Sequence, residues 1–519
     1  MLTFALRRRL SLKLIVLTTL LVLSIGCGAY DSTGYIDEQG QYAPPTNDDA
    51  YANDENSVED DVTRDDDYGE FEENEFVDAS EDDTSTFASD VSTASYTLMR
   101  RDLNSGRLPD PAGVRIEEYI NFFDYDYAQP DGDDLFSVDT EIGPSHFGTT
   151  EDQDRKMMRI GLQGRDVSIE DMKQTNLVFL VDVSGSMGPD NRLPLAKDAL
   201  QVMLEHLRDG DTVGIQTYAS SSETVLEPTD VEHRGDIEAA IDSLEAGGAT
   251  FGEGGITDAY NMAEDAFIED GNNRVVILTD GDFNVGKTGD DLIDMVRSYR
   301  DDYQISLTSA GFGHGGFNDA TMERLAREGN GNYFYIDSRE EAYRVFGSQL
   351  PSTVQVLAHG VRNQVEFNPD IVDRYRLVGY EKRLMDDDDF DDADANAGEI
   401  GPGHDVTAFY ELELHDDIDD IEEPLSTVNV AHKRGYNDEL EFAEFDVTSQ
   451  DIRDSFDDLS GEFQFAAAVT QYAGILRQSD YVYDDDFQEV ISVASAQTND
   501  DERREEFLDL VEIADNLWE

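Results

Sequence analysis

Residues 171–350 of this 519-residue chain predict an α/β domain built on a doubly wound, mostly parallel sheet. Two observations inside the segment carry that expectation, and a third outside it sets the limits. Strand-like runs at 177–181, 212–218, 274–279, 304–311 and 332–336 alternate with helical spacing, which calls for helices on both faces of a sheet. The run Leu177–Val181 is apolar at every position, as a strand buried on both faces must be. After Pro351 the pattern turns to strand-type alternation, and before residue 171 it is helical. The α/β segment is therefore flanked by a small helical region and a β-rich one.

Taken in order, residues 1–27 read as an export signal. Arg7, Arg8, Arg9 and Lys13 form a basic start, and Leu14–Ile25 form an apolar run too short for a comfortable membrane span. Cys27 is the only cysteine, so a disulfide within the chain is impossible. Its position after Gly26 resembles the lipidated cysteine of bacterial-type lipoproteins, and RRLSLK at 8–13 resembles a twin-arginine export signal. The resemblance implies a chain exported and held at a cell membrane or envelope by lipid on Cys27. Cleavage without lipidation, or retention of the segment as an anchor, are the alternatives.

Residues 28–86 have almost no apolar periodicity and read as a disordered acidic tether. Order is expected from Phe87. In the N-terminal region, 87–170, helical spacing joins Tyr96, Met99 and Leu103, breaks at 106–113, and resumes through Val114, Ile116, Tyr119, Ile120 and Phe123. The aromatic cluster Phe122–Tyr127 reads as core. Within 171–350, helices are expected through Leu193, Ala196, Leu200, Met203 and Leu207, through Ala259, Met262, Ala263 and Phe267, and near 289–299 and 319–327. In 351–460 the alternation places Val406, Ala408, Tyr410, Leu412 and Leu414 on one face of a strand in an antiparallel unit. Residues 461–519 return to helical spacing at Phe465, Val469, Tyr472 and Leu476, with a last amphipathic helix near 503–517.

The chain carries 117 acidic against 37 basic residues, a formal charge of −80. The acid recurs in every segment and lysine occurs only at positions 13, 156, 173, 197, 287, 382 and 433. That distribution fits a high-salt setting, where screening suppresses self-repulsion; a merely acidic protein is the plainer reading. Nucleic acid is excluded as a natural partner of such a surface.

The chemistry concentrates at NLVFLVDVSGSMG, residues 176–188. A buried parallel strand there delivers Asp182, then Ser184 and Ser186, to the end of a sheet where α/β folds place ligands. One carboxylate with small neutral oxygens suits a hard cation such as Mg2+ that keeps part of its shell for water or a partner. Asp182 capping a turn, with the serines satisfying backbone donors, is the structural alternative. Thr250 lies in a glycine-rich loop at 246–255, and Asp280 ends another apolar strand.

This D-x-S-x-S, with Thr250 and Asp280, resembles the metal-ion-dependent adhesion site of von Willebrand factor A (VWA) domains, whose architecture is the Rossmann-like sheet expected above. The resemblance implies that Ser184 and Ser186 bind the ion directly, Thr250 directly or through water, and Asp182 and Asp280 mainly through water. Mg2+ is implied, with Mn2+ or Ca2+ as substitutes, and a partner's Glu or Asp carboxylate takes the open position. SDVSTASY and MMRIGLQG before the domain, and QVEFNP, YRLVGYE and FQFAAAV after it, resemble the regions flanking the VWA domain in a group of bacterial-type envelope proteins.

Other motifs give less. Asp282 reads as loop rim. His314, in GFGHGG at 311–316, resembles an esterase oxyanion loop but has no G-x-S-x-G elbow with it. The aspartates at 386–392 lack the glycine and terminal glutamate of a calcium loop and read as solvated. Substitutions there, or at Asp90, are expected to change little. The function expected is non-enzymatic: a cell-envelope-anchored binding or scaffold protein whose VWA domain engages a protein partner through a divalent ion. A metal-dependent hydrolase, or a VWA domain whose metal is purely structural, are the alternatives.

Overall fold

A computed structural model describes residues 68, 72–145, 155–248, 254–281, 289–313, 318–393, 395, 397–415, 423–482 and 485–518. The chain divides into two units, 1–60 and 61–519, and all described residues belong to the second. The export signal, Cys27 and most of the acidic tether lie outside the described residues. Among those described, no helix is long and apolar enough to cross a membrane.

The described chain begins with β1 (Val77–Asp78), β2 (Thr84–Ala88), α1 (Ala94–Asn104), α2 (Ile116–Ile120), β3 (Phe136–Pro144) and β4 (Arg155–Gly164). The α/β domain follows as β5 (Thr175–Asp182), α3 (Leu193–His206), β6 (Thr212–Tyr218), β7 (Ser222–Asp230), α4 (Arg234–Asp242), α5 (Gly255–Asp265) and β8 (Asn272–Thr279). It closes with α6 (Asp290–Tyr303), β9 (Ser306–Gly311), α7 (Asp319–Glu328), β10 (Tyr333–Tyr335), α8 (Arg339–Tyr343) and α9 (Leu350–Val354). Then come β11 (Ala358–Phe367), β12 (Val372–Val378), β13 (Gly398–Ile400), β14 (Asp405–Leu414), β15 (Ser426–Lys433) and β16 (Glu441–Val447). Three helices end the chain: α10 (Gly461–Arg477), α11 (Phe487–Ser495) and α12 (Glu502–Trp518).

The domain sheet runs β10-β9-β8-β5-β6-β7, parallel except for β7. Along β5, Leu177, Phe179 and Val181 face the layer of α3 and α4, while Val178 and Leu180 face that of α5, α6 and α7. A strand used on both faces must be apolar throughout, which is why β5 was legible. The edge strand β7 was not expected: SETVLEPTD carries charge, and none of its positions is fully buried.

The rest corrects the sequence reading of separate flanking regions. β1, β12, β14, β4 and β3 form one antiparallel sheet; β13, β11, β15 and β16, with β2 against β11, form another. Both sheets draw strands from before and after the α/β domain. Between them lies a core holding Met158, Ile160 and Leu162 of β4, Val406, Ala408, Tyr410 and Leu412 of β14, and Val428 and Val430 of β15. Met157 and Phe409, on the opposite face, pack under α1, α2, α10, α11 and α12, together with the expected aromatic core of Phe122, Phe123, Tyr125 and Tyr127.

The tether therefore ends earlier than residue 86. Strand β2, TSTFA, looks polar in sequence, yet its polar groups are paired. Ser85 bonds the Tyr410 hydroxyl at 2.9 Å, and Thr86 accepts from the Gln364 amide at 3.0 Å. Asp90 is also no solvated control: it is buried and accepts from Arg383 at 2.9 Å. The acidic run is only partly solvated, since the carbonyls of Phe390 and Asp392 accept from the buried Arg362 guanidinium at 2.8 and 2.6 Å.

Candidate functional site

Strands β5 and β8 are neighbours, and the chain leaves β5 to one side for β6 and returns on the other as β8. Their C-terminal ends therefore border the point where strand order reverses, where crevices form in open α/β sheets. Asp182 ends β5 and Asp280 follows β8 directly.

Asp182 is fully buried. Its Oδ1 accepts the Ser184 backbone N–H at 2.8 Å, and its Oδ2 accepts the Thr279 hydroxyl at 3.2 Å. The hydroxyls of Ser184 and Ser186 lie 2.8 Å apart; Ser184 is buried and Ser186 exposed, so the oxygens reach from the sheet end to solvent. Burial pushes the Asp182 carboxyl up to about 6, against the opposing hydrogen bonds from Ser184 and with a further push from the charge of Asp280. Tyr218 pairs in register with Asp182 from β6, and burial followed by the Asp182 charge holds its phenol well above the usual range.

Asp280 is engaged on one side. Nη1 of Arg192 donates to its Oδ2 at 2.8 Å and to the Ser186 carbonyl at 2.8 Å. Its Oδ1 is buried and has no hydrogen-bond partner among the described residues. Gly313, at φ +85°, makes room for the arginine: a Cβ there would fall 2.3 Å from Arg192 Nε. On the other side Gly185 N–H donates to the Gly248 carbonyl at 3.0 Å, tying the serine turn to the glycine-rich loop.

Four of the five sequence-predicted ligands are thus described. Asp182, Ser184 and Ser186 cluster around one turn, and Asp280 lies across the strand pair. Thr250 lies outside the described residues, as do Asp282 and His314. The turn-capping alternative is partly realised, since Asp182 does hold the Ser184 N–H. Sequence reasoning missed Thr279 and Tyr218, whose only signal is that they stand at strand ends beside Asp182 and Asp280.

The donor set fits a hard divalent cation. It supplies two carboxylates close enough for the charge of one to push up the pKa of the other, two adjacent hydroxyls and a buried carboxylate oxygen with no hydrogen-bond partner among the described residues. Among the described residues no group of three or more His, Cys, Asp or Glu side chains converges anywhere, so a cation here would depend on the serine hydroxyls.

The chain matches three family models: "von Willebrand factor" over 62–155, "von Willebrand factor type A domain" over 176–347, and "Uncharacterized protein YfbK, C-terminal" over 352–517. It is 33% identical to YfbK of Escherichia coli (strain K12) over 475 residues, 87% of this chain and 81% of that one. It is 26% identical over 196 residues to sll0103 of Synechocystis, 37% of this chain and 44% of that protein. Among solved structures it is similar to a von Willebrand factor type A protein from Catenulispora acidiphila. That likeness has a TM-score of 0.43 and 16% identity, and it covers 73% of this chain and 89% of the other. A VWA domain points to a protein-interaction or scaffold role. With its VWA domain, its YfbK-type C-terminal region and identity spread over most of both chains, the protein belongs to the YfbK family.

Proposed function

We propose that the protein is an envelope-anchored binding or scaffold protein whose VWA domain engages a carboxylate of a protein partner through a divalent cation, Mg2+ by preference. The buried Oδ1 of Asp280, without a hydrogen-bond partner among the described residues and on a carboxylate whose charge acts on Asp182 beside the Ser184–Ser186 hydroxyl pair, is the observation that carries this reading. Asp182, Ser184, Ser186 and Asp280 would hold the cation, with Thr250 from the glycine-rich loop. Bound there, the cation offers a Lewis-acidic position to an incoming carboxylate. The residues do the rest: Thr279 and the Ser184 N–H orient Asp182, Arg192 fixes one oxygen of Asp280, and exposed Ser186 opens the site to a partner.

Binding is favoured over hydrolysis because Arg192 is already engaged by Asp280 and the Ser186 carbonyl, not held ready for a phosphate. Residues 1–27 with lipid on Cys27 would supply the anchor, and the spread acidity fits work at high salt. The test is calorimetric titration of MgCl2 into wild type, Asp182→Asn and Ser184→Ala, then partner capture from molar salt with Mg2+ or EDTA. Saturable binding in wild type alone, and capture abolished by EDTA, are expected. Equal heats in all three proteins would end the metal reading, and capture indifferent to EDTA would leave any ion a structural role.

A further inference from the structure

Strand β8 has a second end. Asp280 follows its last residue, and Arg274 stands near its first, about 20 Å away by strand rise. Arg274 is 3% exposed, in register with Leu177 of β5 and Ser306 of β9. Among the described residues its guanidinium makes one hydrogen bond, from Nη1 to the Thr308 hydroxyl at 2.5 Å, and its buried Nε has no partner. Among the described residues it forms no ion pair.

Every comparable arginine is treated differently. Arg115 reaches two carboxylates, Glu118 and Asp319, the latter at 2.7 Å. Arg100 meets Asp337 at 2.6 Å and Glu341 at 3.1 Å. Arg362, which like Arg274 has no ion pair, donates to three backbone carbonyls. A buried guanidinium left with one hydroxyl is costly, and such a group calls for an occupant in the space beside it.

That space exists. Arg274 lines a cavity of about 190 Å3 between the lower end of the domain sheet and the loops at 354–359 and 435–436. Lys173 and Arg300 line it too, with Asn330, whose buried side chain makes no hydrogen bond among the described residues. In a chain of charge −80, Arg274 and Lys173 line a cavity whose only acid is exposed Asp270, while Arg300 beside them is already paired with Asp301 at 2.7 Å. Gly331 belongs to the design: a Cβ there would stand 3.0 Å from Arg274 Nη1 and 1.9 Å from the Leu307 carbonyl, so no other residue leaves the guanidinium its place. Burial pushes the Arg274 guanidinium down to about 10, still charged at neutral pH.

The rival for its charge within the chain is Glu399. It acts on Arg274 through space but lies beyond 4 Å, with its Oε2 2.8 Å from His359 Nδ1 in a geometry that makes no hydrogen bond. We propose that this cavity is a binding site for one small oxyanion, a carboxylate or a phosphate, held by Arg274 with Lys173 and the Asn330 amide. A planar guanidinium with free donors recognises both. The site is independent of the metal crevice at the other end of the sheet.

The test titrates inorganic phosphate and, separately, acetate into the full-length protein at fixed ionic strength, by calorimetry and thermal shift. Wild type should bind at least one of them saturably at one site: phosphate alone identifies a phosphate site, and acetate as well identifies a carboxylate one. Arg274→Gln should weaken that binding roughly tenfold or more. Glu399→Gln, which removes the competing charge without touching Arg274, should tighten it. No saturable binding in wild type, or equal binding in wild type and Arg274→Gln, overturns the proposal. If Arg274→Gln does not fold, Glu399→Gln decides: unchanged binding, or a large loss of stability with no anion effect, would make Glu399 the resident counter-charge and also overturn it.

Discussion

In the VWA domain each strand is covered by helices close to it in sequence, and the sheet closes within 175–335. The module around it closes only when β2, β3 and β4, from before the domain, meet β11, β12 and β14, from after it. The Ser85–Tyr410 hydrogen bond alone spans 325 residues. One body is local, parallel and apolar-stranded; the other is non-local and antiparallel. The VWA domain is thus inserted in a chain-spanning module, and folding the module requires both of its halves. The joint between the two bodies combines apolar packing, with Ala94 and Leu98 of α1 buried in the core layer of α5, α6 and α7, and buried ion pairs. Arg115 from the entry to α2 reaches Asp319 at the start of α7, and Arg100 of α1 reaches Asp337 and Glu341.

The sharpest way to break this comparison is to cut the chain. Residues 171–350 alone should give a folded, protease-resistant domain with cooperative melting. Residues 351–519 alone should not, because β14 would lose its partner β4, and β11 its partner β2. Adding 68–170 in trans should restore structure to the second fragment. Circular dichroism and limited proteolysis read the outcome, and a cooperatively folded 351–519 would show that its strands need no partner from the N-terminal side.

The next largest effect should come from the joint. Arg115→Leu leaves Glu118 and Asp319 buried without their cation, and removing one partner of such a network costs about 3–5 kcal/mol. Arg324→Leu on the exposed face of α7, where Asp290 is its partner at 3.0 Å, should leave the melting curve nearly unchanged. Comparable losses for both would mean that the joint is no more than a surface contact.

A smaller effect separates the two bodies by pH. Glu117 of α2 is buried against β12, accepting the Tyr380 N–H at 3.0 Å, and burial, with Glu381, Asp90 and Glu118 nearby, pushes its carboxyl up to about 7. Between the unfolded value near 4.5 and about 7 the folded state binds the extra proton, so this group's stabilisation is full below that window and is lost as pH rises through it. The slope it contributes is up to about 1.4 kcal/mol per pH unit. Glu117→Gln should flatten that part of the pH profile of chemical denaturation. A profile identical to wild type would mean that Glu117 is ionised throughout.

What the sequence disclosed follows the same division. Five strands of the domain sheet, its main helices and Asp182, Ser184, Ser186 and Asp280 were legible because local periodicity and strand ends encode them. The pairing of β4 with β14 was not, since register between strands more than two hundred residues apart leaves no local mark. Polar strands mislead for a related reason: TSTFA looks soluble because the Gln364 and Tyr410 partners of its hydroxyls lie far along the chain. The same holds for Asp90, whose partner Arg383 sits 293 residues away. Arg192 could be found by position but not by role, because its contact with Asp280 depends on Gly313, a residue of a later loop.

The smallest effect tests whether acid in this chain is structure or solvation, within one short run. Asp386, Asp387 and Asp388 are all exposed, but Asp387 also accepts the Thr86 hydroxyl at 2.7 Å and so belongs to the β2 attachment. Asp386→Asn with Asp388→Asn removes charge and no contact. At 1 M salt, where the Debye length is about 3 Å, the melting temperature should not move; at 0.01 M, where it is about 30 Å, relief of self-repulsion should raise it slightly. Asp387→Ala should lower it at both salt concentrations, because the Thr86 hydroxyl loses its acceptor whatever the screening. If instead all three aspartates respond to salt alike, Asp387 contributes only charge, and the flanking module does not depend on its acidic loop.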